Sequence, residues 1–262
     1  MMRAVIRRPT VVVVVALVAG ACSSSPQPAE RPRADVEVPQ RLIVGLDEGD
    51  SLEPILPMLP AGEDVVAIPL QRYTPMWDEP GLPGSDFLLD TRNPLGRLSP
   101  MLIEGAKFAA GQAWYEVFLP LRPNGATAWV NERDVQLRPI DHRIEIDLSD
   151  RMLRYHVDDE VEERFSVGIG TDATPTGKGE FYVWVKVYYA NPYQAYGIAA
   201  LGLSGFSPVL SEWPGGGRMA IHGTSNPGDR GRPVSHGCIR VYNEDMEKLL
   251  DVPLGTPVEI QK

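Results

Sequence analysis

The chain reads as a mainly β protein, and three observations carry that reading. Its 25 glycines and 25 prolines favour short strands and turns over long helices. Charged and apolar residues alternate in runs such as Arg143-Ile144-Glu145-Ile146-Asp147-Leu148, the period of a half-buried strand. Turn signals such as Pro123-Asn124-Gly125 stand between such runs at hairpin spacing. With 262 residues and 43% hydrophobic content, the chain can bury two compact parts and still carry appendages.

Taken in order, residues 1–21 read as a signal peptide. Arg3, Arg7 and Arg8 give a positive start, residues 11–19 an apolar run too short to span a bilayer comfortably, and Ala19-Gly20-Ala21-Cys22 a small-residue close. The segment resembles a bacterial lipoprotein signal, which implies lipidation of Cys22. It also implies a lipid-anchored protein of the cell envelope, on the outer face of the cytoplasmic membrane or in the periplasm. An ordinary cleaved signal or an uncleaved anchor stays open. Residues 22–60 read as a lipidated tether and linker. Residues 23–40 are rich in Ser, Pro, Ala and charge and lack the apolar content of a core. Residues 42–60, interrupted by Pro54, Pro57 and Pro60, take no assignment.

Residues 61–139 read as a small β module. Val65-Val66-Ala67-Ile68, Phe87-Leu88-Leu89, Met101-Leu102-Ile103 and Trp114-Tyr115-Glu116-Val117-Phe118-Leu119 are strand-like, and Pro123-Asn124-Gly125 joins the last to Thr127-Ala128-Trp129-Val130 as a hairpin. The pattern resembles the end of a bacterial SH3-like barrel. That resemblance implies wall binding; packing against the next domain is the equal alternative.

Residues 140–262 begin with another hairpin, residues 143–148 against 152–157. In residues 181–189 the odd positions are apolar and face a core, while Tyr182, Trp184, Lys186 and Tyr188 line a cleft or a solvent-facing surface. Residues 191–217, with many glycines, prolines and aromatics, read as irregular. A short helix over 244–250 with Asn243 as its cap and a closing strand at Val258-Glu259-Ile260 complete the chain.

The chemistry concentrates in Ile221-His222-Gly223-Thr224 and Ser235-His236-Gly237-Cys238-Ile239-Arg240. A thiol is a useful nucleophile at neutral pH only when something takes its proton, and a nearby imidazole does so. His222 is the candidate base. In an extended segment His236 and Cys238 share a face, and Gly237 leaves the backbone open to substrate. The backbone N–H groups of His236, Gly237 and Cys238 are candidate oxyanion donors, and the Ser235 hydroxyl is placed to hold the loop. Two alternatives stay open: a three-ligand zinc site from His222, His236 and Cys238, and a disulfide between Cys22 and Cys238, the only two cysteines.

These residues resemble the signature of the L,D-transpeptidases, cysteine enzymes that cross-link bacterial peptidoglycan. Val167-Gly168-Ile169-Gly170 and Thr174-Pro175-Thr176-Gly177 look like that family's preceding strand and turn. The resemblance implies a β-sandwich catalytic domain, no cofactor or metal, and peptidoglycan stem peptides as partners. It also implies that Cys238 forms a thioester with a tetrapeptide donor, releasing terminal D-alanine, while the Gly223 carbonyl orients His222. Arg240 either positions a donor carboxylate or pairs with a nearby acid. Tyr193 and Tyr196 fall where the family covers its cleft and are candidate substrate contacts. An L,D-carboxypeptidase using water, or a wall-binding scaffold, is the alternative outcome. The net charge of −10, from 25 basic and 35 acidic residues, argues against a nucleic-acid partner.

Overall fold

The computed structural model describes residues 64–212 and 215–262, all within one compact unit. The signal peptide, Cys22 and the tether expected over residues 1–60 lie outside the described residues, as does Trp213. Among the described residues no helix is long and apolar enough to cross a membrane.

The N-terminal half contains β1 (Asp64–Pro69), β2 (Tyr73–Met76), β3 (Phe87–Asp90), β4 (Met101–Ala109), β5 (Gln112–Phe118), β6 (Thr127–Asn131) and β7 (Val135–Ile140). Five of them form an antiparallel, barrel-like sheet in the order β6-β5-β4-β1-β7, and β2 pairs with β3. Ala110 and Gly111, both at positive φ (50° and 77°), give the β4–β5 hairpin the backbone that a two-residue turn requires. Val65, Met76, Met101, Tyr115, Val117 and Val130 fill this sheet's core.

The C-terminal half contains β8 (His142–Asp147), β9 (Met152–Val157), β10 (Glu160–Ser166), β11 (Ile169–Gly170), β12 (Gly179–Tyr188), β13 (Ala199–Phe206), β14 (Arg218–Thr224), β15 (Pro233–Ser235), β16 (Ile239–Tyr242), α1 (Asn243–Glu247) and β17 (Pro257–Gln261). Eight strands make one sheet, β10-β9-β8-β17-β12-β13-β14-β16, while β11 pairs with β15. One core takes Leu153 and Phe165 from one end of this sheet and Ile239 and Val241 from the other, so the sheet folds over on itself as a sandwich. The architecture is mainly β, as the sequence predicts.

Three expectations change. The even face of β12 is interior at one end and solvent-facing at the other: Tyr188 is exposed, whereas Tyr182 is fully buried against Val66, Leu102 and Ile140 of the first sheet, and its hydroxyl donates to the Phe118 carbonyl at 3.3 Å. Ser99 Oγ adds a 2.6 Å bond to the Trp184 carbonyl. The N-terminal sheet is thus a packing partner of the C-terminal half. Residues 191–217, expected to be irregular, contain β13, buried along its whole length. Its small residues hide the strand pattern because neighbours need the room. A Cβ on Gly205 would lie 2.2 Å from Phe181 Cδ1, and one on Gly202 would lie 2.7 Å from Val185 Cγ1. Finally, α1 spans only Asn243–Glu247 and has no side-chain cap. The Asn243 amide is committed elsewhere, accepting from Ile198 N–H at 3.1 Å and donating to the Pro192 carbonyl at 3.1 Å.

Candidate active site

Strands β14 and β16 run parallel, pairing Ile221 with Ile239, His222 with Arg240 and Gly223 with Val241. Cys238 immediately precedes β16 and so comes alongside Ala220, whose N–H hydrogen-bonds to the sulfur. Side chains two apart on a strand share a face. Cys238, Ala220, His222 and Arg240 therefore occupy one face, while Met219, Ile221, Ile239 and Val241 enter the core on the other.

The turn before Cys238 is braced from within and behind. Ser235 Oγ accepts from Gly237 N–H at 3.0 Å and donates to the Cys238 carbonyl at 2.6 Å. The Ser235 carbonyl accepts from Thr171 N–H at 3.2 Å and Thr174 Oγ1 at 3.1 Å. Gly237 sits at φ 113°, and a Cβ there would lie 3.3 Å from the Pro175 carbonyl oxygen. That φ breaks the extended alternation assumed from sequence, so His236 is exposed whereas Cys238 is partly buried. The Gly237 N–H, expected as an oxyanion donor, is engaged by Ser235 in this state.

His222 is 3% exposed, and its Nδ1 lies 2.9 Å from the Gly223 carbonyl oxygen. A carbonyl only accepts, so Nδ1 carries the proton and Nε2 is left as the basic nitrogen. Burial pushes the His222 pKa down to about 4; Arg240 adds to the lowering, while the Gly223 bond and Asp229 oppose it. Burial also raises the Cys238 thiol, against the Ala220 N–H and Arg240. Both groups are consequently neutral at rest, a thiol and an imidazole on one face of the sheet.

Tyr196 stands edge-on to the His222 ring, centroids 5.1 Å apart, and stacks on Tyr189 at 5.9 Å. Tyr193 is 82% exposed. Asn243 holds the chain on either side of the two tyrosines, at Pro192 and Ile198, and Gly197 passes so close to Gly223 that a Cβ would lie 2.4 Å from the Gly223 carbonyl carbon.

Asp229 escaped the sequence reading. It is buried at 2% exposure in a turn that opens with Asn226-Pro227-Gly228, composition that reads as solvent-facing loop. Its carboxylate accepts from Thr224 Oγ1 at 2.7 Å, Asn226 Nδ2 at 3.0 Å and Arg240 Nη1 at 3.2 Å. Arg240 thus pairs with a nearby acid through Nη1. The only available signal was the arginine itself, which needs a partner when half-buried.

Among the described residues no three His, Cys, Asp or Glu side chains converge as a metal-ligand set, so His222, His236 and Cys238 do not assemble the alternative zinc site. Cys238 is a free thiol, and the disulfide alternative needs Cys22, outside the described residues.

Residues 141–260 match the family model of the L,D-transpeptidase catalytic domain, YkuD. The chain is 32% identical over 171 residues to a Bacillus licheniformis protein carrying the name L,D-transpeptidase YkuD, an alignment covering 65% of this chain and 86% of that one. The chain belongs to the L,D-transpeptidase family. A Bacillus subtilis relative of the same name is 32% identical over 124 residues, 47% of this chain and 68% of that one. Among solved structures, the catalytic domain of an Enterococcus faecium L,D-transpeptidase acylated by ertapenem is similar at 28% identity and a TM-score of 0.36, over 46% of this chain and 97% of that one. Two other solved chains are matched over 49% and 50% of their own length. The L,D-transpeptidase domain holds the whole Cys238–His222 face, and its fold-back sheet supplies both strands that carry it.

Proposed function

We propose that this enzyme cross-links peptidoglycan stem peptides through Cys238. The observation that carries the reading is the common face of Cys238 and His222 on paired strands, with His222 Nδ1 bound to a backbone carbonyl and Nε2 available as base. Since both groups rest neutral, the proton leaves sulfur for Nε2 as sulfur attacks. The attacked carbonyl is that of the L-centre of the diamino acid in a tetrapeptide stem. A carbon–sulfur bond forms, the bond to the terminal D-alanine nitrogen breaks, and His222 returns the proton to that leaving amine. The amine of a neighbouring stem then attacks the thioester, giving a proton to His222, and the released sulfur takes it back. The N–H groups of His236, Gly237 and Cys238 stabilise the oxyanion, each donor worth about 3 kcal/mol; that of Gly237 is held by Ser235 Oγ at rest and serves only on leaving that bond. Arg240, held by Asp229, presents positive charge to the donor carboxylate, with Tyr193 and Tyr196 flanking the stem.

On the same reading Cys22 carries lipid and residues 22–60 tether the enzyme to the envelope membrane. The N-terminal sheet is an SH3-like module that contacts the wall.

Mass spectrometry of protein from residue 36 onward with a disaccharide-tetrapeptide tests the reaction, with Cys238→Ala as control. Loss of D-alanine with a dimeric muropeptide supports transpeptidation. Loss without dimer assigns the same site to L,D-carboxypeptidation by water. No Cys238-dependent loss of D-alanine refutes the proposal.

A further inference from the structure

The N-terminal sheet does more than cover Tyr182. Its β5–β6 connection reaches over the catalytic sheet and binds the end of β13 through side-chain to main-chain bonds. Asn124 makes a pair of them, Nδ2 donating to the Phe206 carbonyl at 2.8 Å and Oδ1 accepting from Phe206 N–H at 2.9 Å, the pattern of an added strand residue. Arg122 donates to the carbonyls of Ser207 (3.1 Å), Leu210 (2.9 Å) and Gly216 (3.1 Å). In return Arg218 of β14 donates to the Pro120 carbonyl at 3.1 Å. The Arg122 and Arg218 guanidinium groups both lie over the Phe206 ring, at 4.7 and 4.2 Å from its centroid.

What these bonds hold lies directly against the nucleophile's turn. Ser207 is 2% exposed, and its Oγ would be 3.8 Å from a Cβ on Gly237, the residue before Cys238. The Phe206 carbonyl oxygen lies 3.3 Å from the corresponding position on Gly177, in the stretch that follows the braces of Ser235. The Ser207 hydroxyl and N–H are themselves spent locally, the hydroxyl accepting from Val209 and Leu210 and the N–H donating to Gly217. Among the described residues, the bonds that tie that segment to the first sheet are those of Arg122 and Asn124.

We infer that Arg122 and Asn124 are positioning residues of the reaction, through which the N-terminal sheet fixes the wall against which the Ser235–Cys238 turn is set. They act through Phe206 and Ser207 and touch no reacting atom. The inference rests on the proposed chemistry at Cys238 and says which remote groups that chemistry needs. A small displacement of a nucleophile is enough to slow a reaction whose geometry is pre-set.

The test compares wild type with Arg122→Ala, Arg122→Lys and Asn124→Asp in the same protein, reading kcat, KM, thermal midpoint and the pH profile of Cys238 alkylation by iodoacetamide. Asn124→Asp keeps the acceptor for Phe206 N–H and turns the donor into a carboxylate oxygen that repels the Phe206 carbonyl, so it serves if Arg122→Ala does not fold. The expected result is a kcat about tenfold lower with KM within about twofold, a displaced alkylation profile, and partial recovery in Arg122→Lys, which retains a cation over Phe206. A lower thermal midpoint with unchanged kcat and alkylation would reduce these residues to structural staples and overturn the inference. A wild type inactive on the tetrapeptide refutes the proposed reaction instead, and the alkylation profiles then decide the positioning role by themselves.

Discussion

His222 Nδ1 lies 2.9 Å from the carbonyl oxygen of Gly223, the next residue in the chain. An imidazole is usually oriented by a carboxylate that has its own titration. Here the orienting group is a peptide carbonyl, which has none, so the tautomer that exposes Nε2 persists at every pH at which the ring is neutral. Removing Nε2 as base, in His222→Gln, should lower kcat/KM on the tetrapeptide by about 10²- to 10⁴-fold while leaving the thermal midpoint close to wild type. Steady-state kinetics beside a melting curve checks both.

The depressed His222 pKa also fixes the pH dependence. Its folded value is about 4 against an ordinary 6.5, so between those limits the unfolded chain binds a proton that the native site does not. The associated stability is complete above about pH 6.5 and is lost as pH falls toward 4, by on the order of 3 kcal/mol. Urea titrations across pH 4–7 should show this slope, and His222→Gln should flatten it. The acid limb of kcat/KM should fall near pH 4, with no step near 6.5; a step there would mean that His222 titrates normally.

Cys238 is raised by burial, so its thiolate is scarce at neutral pH in the resting enzyme. Iodoacetamide should alkylate it slowly at pH 7 and faster as pH rises past the ordinary cysteine range, whereas an acyl donor that delivers its carbonyl to the site should react at pH 7. Intact-mass measurement reads both. Rapid alkylation at pH 6 would contradict the neutral pair.

Asp229→Asn keeps the shape of a buried side chain that three donors share and removes its charge. The loss should be about 2–3 kcal/mol, the range for hydrogen bonds to a charged group. Since Asp229 raises the His222 pKa, the acid limb should move lower still. Chemical denaturation and a pH–rate profile give the two numbers.

Tyr182→Ala removes a fully buried ring from the contact between the sheets. A cost of about 3–5 kcal/mol is expected. Because the contact links two cores, urea unfolding should also change from one transition to two, visible as a divergence between tryptophan fluorescence and far-ultraviolet circular dichroism.

Much of this was legible in the residues. The strands with strict alternation, such as β8, and the hairpin around Asn124-Gly125 were, because one face of each is solvated and the period shows. Cys238 and His222 stood out because thiol, imidazole and glycine occur together. What stayed hidden was hidden by context. β13 is buried throughout and built of small residues, so it carries no period. Tyr182 and Trp184 look amphipathic in isolation, and only the arrival of Val66 and Leu102 makes their face interior. Asp229 is a carboxylate in a turn until Thr224, Asn226 and Arg240 close on it. Asn243 precedes a helix and looks like a cap, but its amide is drawn to the backbone of residues 192 and 198. In each case a tertiary partner distant in sequence decides the role.

Strand β17 lies between β8 and β12, parallel to the first and antiparallel to the second. It is the latest strand in chain order, yet it occupies the middle of the catalytic sheet. Until it arrives, β8–β10 and β12–β16 are separate pieces with bare edges, and the nucleophile belongs to a half-built layer. Folding of the catalytic sheet therefore waits on a long-range closure by β17. A ribosome-held or truncated chain lacking those few residues would carry Cys238 and His222 and still have no stable site.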